Sequence, residues 1–221
     1  MKKNDTIFAL STPYGRSAVA VIRLSGQNSL NIAKTITKKN SFPNRKANFV
    51  TFYDTRGFII DRGLLIFFKS PSSYTGEDML EIHNHGSVAI INKMFETLEK
   101  INACRFALPG EFSKRAFING KNDLIHFEGL ANLISSETEQ QRIVATQQTF
   151  GQVQNICKEW REKIVENLAI LDSAIDFPEE GEDYNFKIVL KDLKKILLTA
   201  KNAIKFSNIF EQAYKGQDII I

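Results

Sequence analysis

The sequence predicts an α+β protein in which a mixed-sheet N-terminal domain is followed by an all-α helical domain. Three observations predict it. Short apolar runs bounded by glycine and proline fill the first half of the chain; from Asp123 onward apolar residues recur only every third or fourth position; and 221 residues that are 43% hydrophobic and 24% charged can bury a substantial core.

Residues 6–10 and 18–24 are short apolar runs set off by Pro13, Gly15 and Gly26, a pattern that predicts buried strands. Ser25 and Asn28 offer N-caps for a helix running to about Thr37, with Leu30, Ile32, Ala33 and Ile36 on its apolar face. Residues 49–53 and 57–68 predict a hairpin turned at Asp54–Gly57, and Leu64–Phe68 is too apolar for an exposed edge. Met79–His83 follows as a strand. Val88–Lys100 follows as a helix with Ile90, Ile91, Met94, Leu98 and Ile101 inward. Helical spacing then links Leu130, Ile134, Val144 and Ala145, and runs from Val153 to Ile175 after a break at Gly151. Pro178 and the acidic stretch Glu179–Asp183 predict a loop. A last helix carries Val189, Leu190, Leu193, Ile196, Leu197, Ala200 and Ile204 on one face, Gly216 suits its terminator, and Asp218–Ile221 begins a strand. The expected domains are 1–121 and 122–216, with 217–221 opening something further.

Charge is uneven. Residues 1–50 hold nine Lys or Arg against the single acid Asp5, whereas 51–140 hold nine against twelve and 141–221 eleven against twelve. That excess suits an anionic ligand or RNA phosphates, or else a solvated loop around Lys38-Lys39 and Arg45-Lys46. No apolar run approaches the ~20 residues of a membrane span. No apolar segment follows Met1-Lys-Lys-Asn-Asp, so a cytoplasmic location is expected. Cys104 and Cys157 form no CxxC pair and are expected to be buried or idle thiols.

The densest chemistry lies in Leu108–Asp123, where a Pro-Gly turn at 109–110 and an Asn-Gly turn at 119–120 bracket Glu111, Lys114 and Arg115, with Lys121 following. So many charges with few core residues mark a site rather than a strut. Glu81, His83 and His85 alternate, as three donors facing one way on a strand would, a geometry able to grip a metal. Gly86 argues that the strand has already ended and no fourth ligand is evident, so no metal is expected; His85-Gly86 is expected to shape a turn beside Glu81. His126 has no identifiable partner.

These motifs, in order, resemble the MnmE/TrmE family of tRNA-modification GTPases. The resemblance rests on Asp5-Thr-Ile-Phe-Ala9, Thr12-Pro-x-Gly-Arg16, Arg23-x-Ser-Gly26, Tyr74-Thr-Gly-Glu-Asp78, His85-Gly86, Pro109-Gly-Glu-Phe-Ser113, Arg115-Ala-Phe117, Asn119-x-Lys121, Asp123-Leu124 and Ala174-Ile-Asp-Phe-Pro178. Leu108 stands where the family usually has arginine and Lys114 where it has an acid. Ser17, Ala18 and Ala20 stand where it has glycines, and His83 also departs from its pattern.

The resemblance implies a tetrahydrofolate-binding and dimerisation domain over 1–121, the first part of a helical domain over 122–216, and the first strand of a GTPase domain at 217–221. It implies that Arg23, Glu81 and Lys121 hold a tetrahydrofolate derivative, 5-formyl or 5,10-methylene. A carboxylate suits the paired N–H donors of a pterin edge, and cations suit folate's carbonyls and glutamate tail. The family's whole protein is a homodimer that hydrolyses GTP with Mg2+ and K+. With a flavin-dependent MnmG partner it places an aminomethyl or carboxymethylaminomethyl group at C5 of the wobble uridine of certain tRNAs.

No GxxxxGK[ST] occurs in these residues, so no GTPase activity is expected of them. The family's cysteine near its own C-terminus has no match here, and no catalytic residue is carried over. Two alternatives stand beside this reading: a free-standing folate-dependent aminomethyltransferase, and a dimerisation scaffold without folate binding. Direct RNA binding by residues 1–50 is a third idea; no aromatic RNP-like strand supports it.

Overall fold

The computed structural model describes residues 5–176 and 186–215, with side chains described as far as Lys205 and excepting Gln152. The chain divides into two compact units between Asp123 and Leu124. The expected acidic loop at 179–183, the terminator Gly216 and the strand at 218–221 lie outside the described residues.

In the first unit, the short apolar runs make a six-stranded sheet. β1 (Ile7–Leu10), β2 (Ser17–Ser25), β3 (Ala47–Tyr53), β4 (Ile59–Phe68), β5 (Met79–Gly86) and β6 (Arg105–Phe106) lie in the order β3-β4-β5-β2-β1-β6. β6 runs parallel to β1, and the other neighbours are antiparallel. Side chains of period two split the sheet into faces. Ile22 and Leu24, Val50 and Phe52, Leu65 and Phe67, and Leu80 and Ile82 are buried. They pack with α1 (Ser29–Thr37), through Ile32 and Ile36, and with α2 (Val88–Lys100), through Met94 and Leu98. The alternate residues, among them Phe49, Leu64, Arg23, Glu81 and His83, stand on the opposite face.

α1 and α2 fall where spacing predicts them, but α1 is capped differently. Asn28 occupies the N-cap position without a side-chain cap bond, and its Nδ2 donates instead to Ala103 O at 3.1 Å. Ser25 is no cap either. Its hydroxyl lies 2.7 Å from Thr75 Oγ1 and donates to Glu77 Oε2 at 2.6 Å. β5 runs three residues beyond its expected end. His85-Gly86 is therefore strand, not a turn beside Glu81. Gly86 pairs with Ser17, and a Cβ there would sit 2.0 Å from Ser17 Oγ, so only glycine lets the two strands meet.

Between the two turns of the charged segment the chain forms α3 (Glu111–Ile118), which sequence spacing did not show because its buried residues are Glu111, Arg115 and Ala116. Gly110, at φ 73°, takes the left-handed conformation that turns the chain into it.

The second unit holds α4 (Leu124–Ile134), α5 (Glu139–Thr149), α6 (Gln152–Asp176) and α7 (Phe186–Lys215). Thr138 starts α5 with a reciprocal cap. Its hydroxyl accepts from Gln141 N at 3.2 Å, and Gln141 Oε1 accepts from Thr138 N at 3.0 Å. His126 has a partner after all, its Nδ1 lying 2.8 Å from Thr149 O. The expected apolar stripes of α6 and α7 exist but are largely uncovered. Val189 is buried, yet Ile164, Leu168, Leu190 and Leu197 are exposed, because two long helices meeting along one seam shield only a narrow line of each. Cys157 is exposed rather than buried, while Cys104 is half-buried and burial pushes its thiol up to about 12. No described helix is long and apolar enough to cross a membrane.

Candidate functional site

β2 and β5 are antiparallel neighbours whose register sets Arg23 directly opposite Glu81. On the face away from α1 and α2, Arg23 Nε donates to Glu81 Oε1 at 2.8 Å. His83, two residues along on the same side of β5, places Nε2 3.3 Å from Glu81 Oε2. Neighbours therefore hold both carboxylate oxygens, yet each keeps a second lone-pair direction, and the side chain remains 17% exposed. Arg23 is 43% exposed, and only its Nε is engaged among the described residues, which leaves the Nη fork for an incoming acceptor.

Lys121 is placed by the turn after α3. Its backbone N–H donates to Ala116 O at 2.9 Å, and its ammonium donates to Pro71 O at 2.8 Å. Its stem packs beside Gly76, where a Cβ would meet Lys121 Cδ at 3.3 Å. Asn119 secures the same turn by donating to Thr75 O at 2.7 Å. The structure thus joins Arg23 to Glu81 directly and holds Lys121 against the 71–76 loop that leads into β5.

Glu111 and Arg115, which the sequence grouped with Lys121, do something else. Glu111 is 1% exposed and accepts from Arg105 at 2.7 and 2.9 Å, from Arg115 at 3.0 Å and from Leu108 N at 2.8 Å. Arg115 also reaches Asp5 Oδ1 at 2.7 Å and Glu77 Oε2 at 3.1 Å. Hydrogen bonds from Arg105 foremost, with Leu108 N and Arg115, override burial and hold the Glu111 carboxyl down at about 2. This part of the segment is a strut. It ties α3, β6 and the start of β1 to Glu77, and Glu77 in turn holds Ser25, two residues beyond Arg23. The motifs that looked like separate signatures therefore meet in one hydrogen-bonded knot under the Arg23–Glu81 end of the sheet.

Sequence reasoning gave no role to His83 or Asp61. The alternation Glu81, His83, His85 was the available signal for His83, and the structure confirms that Glu81 and His83 share a side. His85 turns to another partner, its ring Nδ1 2.9 Å from Asp61 Oδ1 and its backbone N–H donating to Asp61 Oδ2 at 2.8 Å. Burial works against ionised Asp61, but these bonds outweigh it and lower its pKa. No cluster of three or more metal-ligating side chains is present among the described residues. A separate cavity of about 630 Å³ lies at the far end of the same two strands, lined by Arg16, Ser17, His85, Gly86, Ser87 and Val88.

Comparison with known proteins gives a consistent result. Residues 6–121 match the family profile described as GTP-binding protein TrmE N-terminus, and residues 124–217 match the MnmE helical domain. The chain is 45% identical over 180 residues to a tRNA modification GTPase MnmE of Anaplasma marginale, covering 81% of this chain and 40% of that protein. It is 42% identical over 179 residues to the mitochondrial tRNA modification GTPase mss1 of Schizosaccharomyces pombe, covering 80% and 36%. An MnmE of Wolbachia pipientis subsp. Culex pipiens is 37% identical over 220 residues, 99% of this chain and 49% of the relative. The chain thus spans less than half the length of these relatives.

Proposed function

Because the chain belongs to the MnmE family of tRNA-modification GTPases, we propose that it supplies the one-carbon-donor-binding part of such an enzyme, with a tetrahydrofolate derivative held by Arg23, Glu81 and Lys121. The observation that carries this reading is the Arg23–Glu81 pair on the uncovered sheet face, with acceptor and donor capacity left over on the two partners.

The residues suit the group. Glu81 has two lone-pair directions unspent, enough to accept the neighbouring N–H groups of a pterin edge, and Arg23 and His83 already fix its orientation. The Nη atoms of Arg23 and the remaining protons of Lys121 are donors for carbonyl or carboxylate oxygens. Bound folate would supply a one-carbon unit at the oxidation level the tRNA modification requires. The protein's own part here is to bind and orient it.

In the whole protein this part would act beside a GTP-hydrolysing domain that uses Mg2+ and K+. It would dimerise through its own domain and work with a flavin-dependent MnmG-type partner on the wobble uridine of certain tRNAs. A dimerisation scaffold that ignores folate is the competing reading.

Calorimetric titration with 5-formyltetrahydrofolate separates the two. Wild type should bind, and Glu81→Gln and Arg23→Ala should each weaken binding at least tenfold, the scale of one lost charge-assisted hydrogen bond of about 1.5–3 kcal/mol. A folded wild-type chain that gives no heat would leave the scaffold, and variants that bind as wild type does would move the folate site away from Arg23 and Glu81.

A further inference from the structure

Four of the nine Lys and Arg of residues 1–50, Lys38, Lys39, Arg45 and Lys46, gather with Arg56 at one edge of the sheet. β3 is the outermost strand, bonded only to β4, and cations lie along its length. At its start, Arg45 donates to Ser72 O at 2.6 Å, and Lys46 precedes Ala47. Midway, Lys39 Nζ donates to Phe49 O at 3.1 Å, which lays that side chain against the strand. At its end, Lys38 Nζ sits 4.0 Å over the Tyr53 ring, and Arg56 occupies the turn beyond. From Ala47 to Tyr53 the strand spans about 20 Å.

All five cations are exposed, and none forms an ion pair among the described residues. Of the acids beside the strand, Asp54 is occupied by Lys93 Nζ at 3.4 Å and by the backbone N–H groups of Arg56 and Phe58, and Asp61, opposite Phe52, by the backbone N–H and ring Nδ1 of His85.

Two large aromatics stand among these charges. Phe49 is 67% exposed on β3, and Phe58 is 69% exposed where the β3–β4 turn ends. Guarding an edge strand against pairing would also place lysines near it. That explanation asks for charge on the strand itself, but β3, Ala-Asn-Phe-Val-Thr-Phe-Tyr, carries none and displays a phenylalanine instead. Cations without carboxylates, interleaved with exposed rings, are the arrangement that grips a phosphate backbone while bases stack.

We infer that the β3 edge, with Lys38, Lys39, Arg45, Lys46 and Arg56 and the rings of Phe49 and Phe58, is a docking surface for a single-stranded segment of RNA. The cations meet the phosphates, and the rings take unpaired bases. The inference does not depend on folate binding, because the β3 edge and the Arg23–Glu81 pair share no residue.

The test is fluorescence anisotropy with a labelled 12-nucleotide single-stranded RNA from about 50 to 200 mM salt. Five phosphate contacts give a slope of log K against log salt of about −3.5, a loss near a hundredfold across that range. Lys38→Gln/Lys39→Gln/Lys46→Gln should flatten the slope by about 2. Lys191→Gln/Lys194→Gln/Lys195→Gln on α7, which removes the same charge elsewhere, should leave it unchanged. Phe49→Ala/Phe58→Ala should weaken RNA binding about tenfold or more and leave heparin binding unaltered.

Absence of RNA binding at 50 mM salt would overturn the inference, as would equal effects of the two lysine triples. An RNA affinity indifferent to the two phenylalanines would reduce the edge to a general polyanion surface and overturn the assignment to RNA.

Discussion

Glu111→Gln is the sharpest perturbation of the architecture beneath the candidate site. The wild-type side chain is wholly buried and receives four hydrogen bonds, three from guanidinium groups and one from Leu108 N. A glutamine can keep one acceptor oxygen in place, but its amide N–H then confronts an arginine N–H. Asp5 and Glu77 still partner the arginines, so the loss falls at the lower end for a broken buried pair.

The carboxyl is held at about 2 against an ordinary 4.5, and that difference corresponds to about 3 kcal/mol. Because the folded value is depressed, the contribution is complete above the unfolded value and disappears as pH falls from about 4.5 through about 2. Trp160 is the lone tryptophan and sits in α6, so its fluorescence reports the second unit. Urea unfolding should be followed by backbone NMR intensities from β1 and β5. At neutral pH the midpoint should drop by about 1.5 M, for a slope near 2 kcal/mol per molar urea. The gap between wild type and variant should close by pH 2. A neutral-pH loss under 1 kcal/mol, or a gap that persists at pH 2, would refute the reasoning.

Other expectations follow from single contacts. Gly26 sits at φ 134°, and a Cβ there would lie 2.6 Å from Thr6 Oγ1 and 2.8 Å from Asp5 O, so Gly26→Ala should cost about 2 kcal/mol or more in the same unfolding assay. A native-like midpoint would show that β1 and the β2–α1 turn can separate. Thiol labelling read by mass spectrometry should modify exposed Cys157 first. Cys104, half-buried with its thiol raised to about 12, should react only in denaturant; the reverse order would contradict the packing around Leu98 and Cys104. Thr138→Ala removes the hydroxyl that accepts from Gln141 N, leaving only the backbone half of the α5 cap, and should cost the second unit about 1 kcal/mol by tryptophan-detected unfolding. No change would mean that the cap only accompanies the α4–α5 turn.

Much of the fold was legible because burial leaves a period. The apolar runs Ala18–Leu24 and Leu64–Phe68, and the i, i+3, i+7 spacing of Ile91, Met94 and Leu98, located β2, β4 and α2 closely. α3 escaped because Glu111 and Arg115 are buried as ions and carry no hydrophobic signal, the same reason the segment looked wholly like a site. The end of β5 was misjudged because Gly86 was read as a breaker, whereas its role is the close approach of Ser17, a contact 69 residues away in sequence that local pattern cannot register. Arg23 and Glu81 were picked out by motif alone. That they lie opposite each other depends on strand order, which pairs β2 with β5 across β3 and β4, and His83 emerged only once that pairing gave Glu81 a second neighbour.

The central claim is that the Arg23–Glu81 pair is the gripping point for the one-carbon donor, and the Arg23 Nε–H group, hydrogen-bonded at 2.8 Å, is a direct reporter of it. The measurement is the 15N–1H resonance of that group as 5-formyltetrahydrofolate is added. The account predicts a saturable shift of the Arg23 Nε–H signal, together with the Glu81 and His83 backbone amides, that vanishes in Glu81→Gln. Binding that leaves these resonances in place and moves signals around Arg16, Ser87 and Val88 instead would put the ligand in the far cavity and contradict the account.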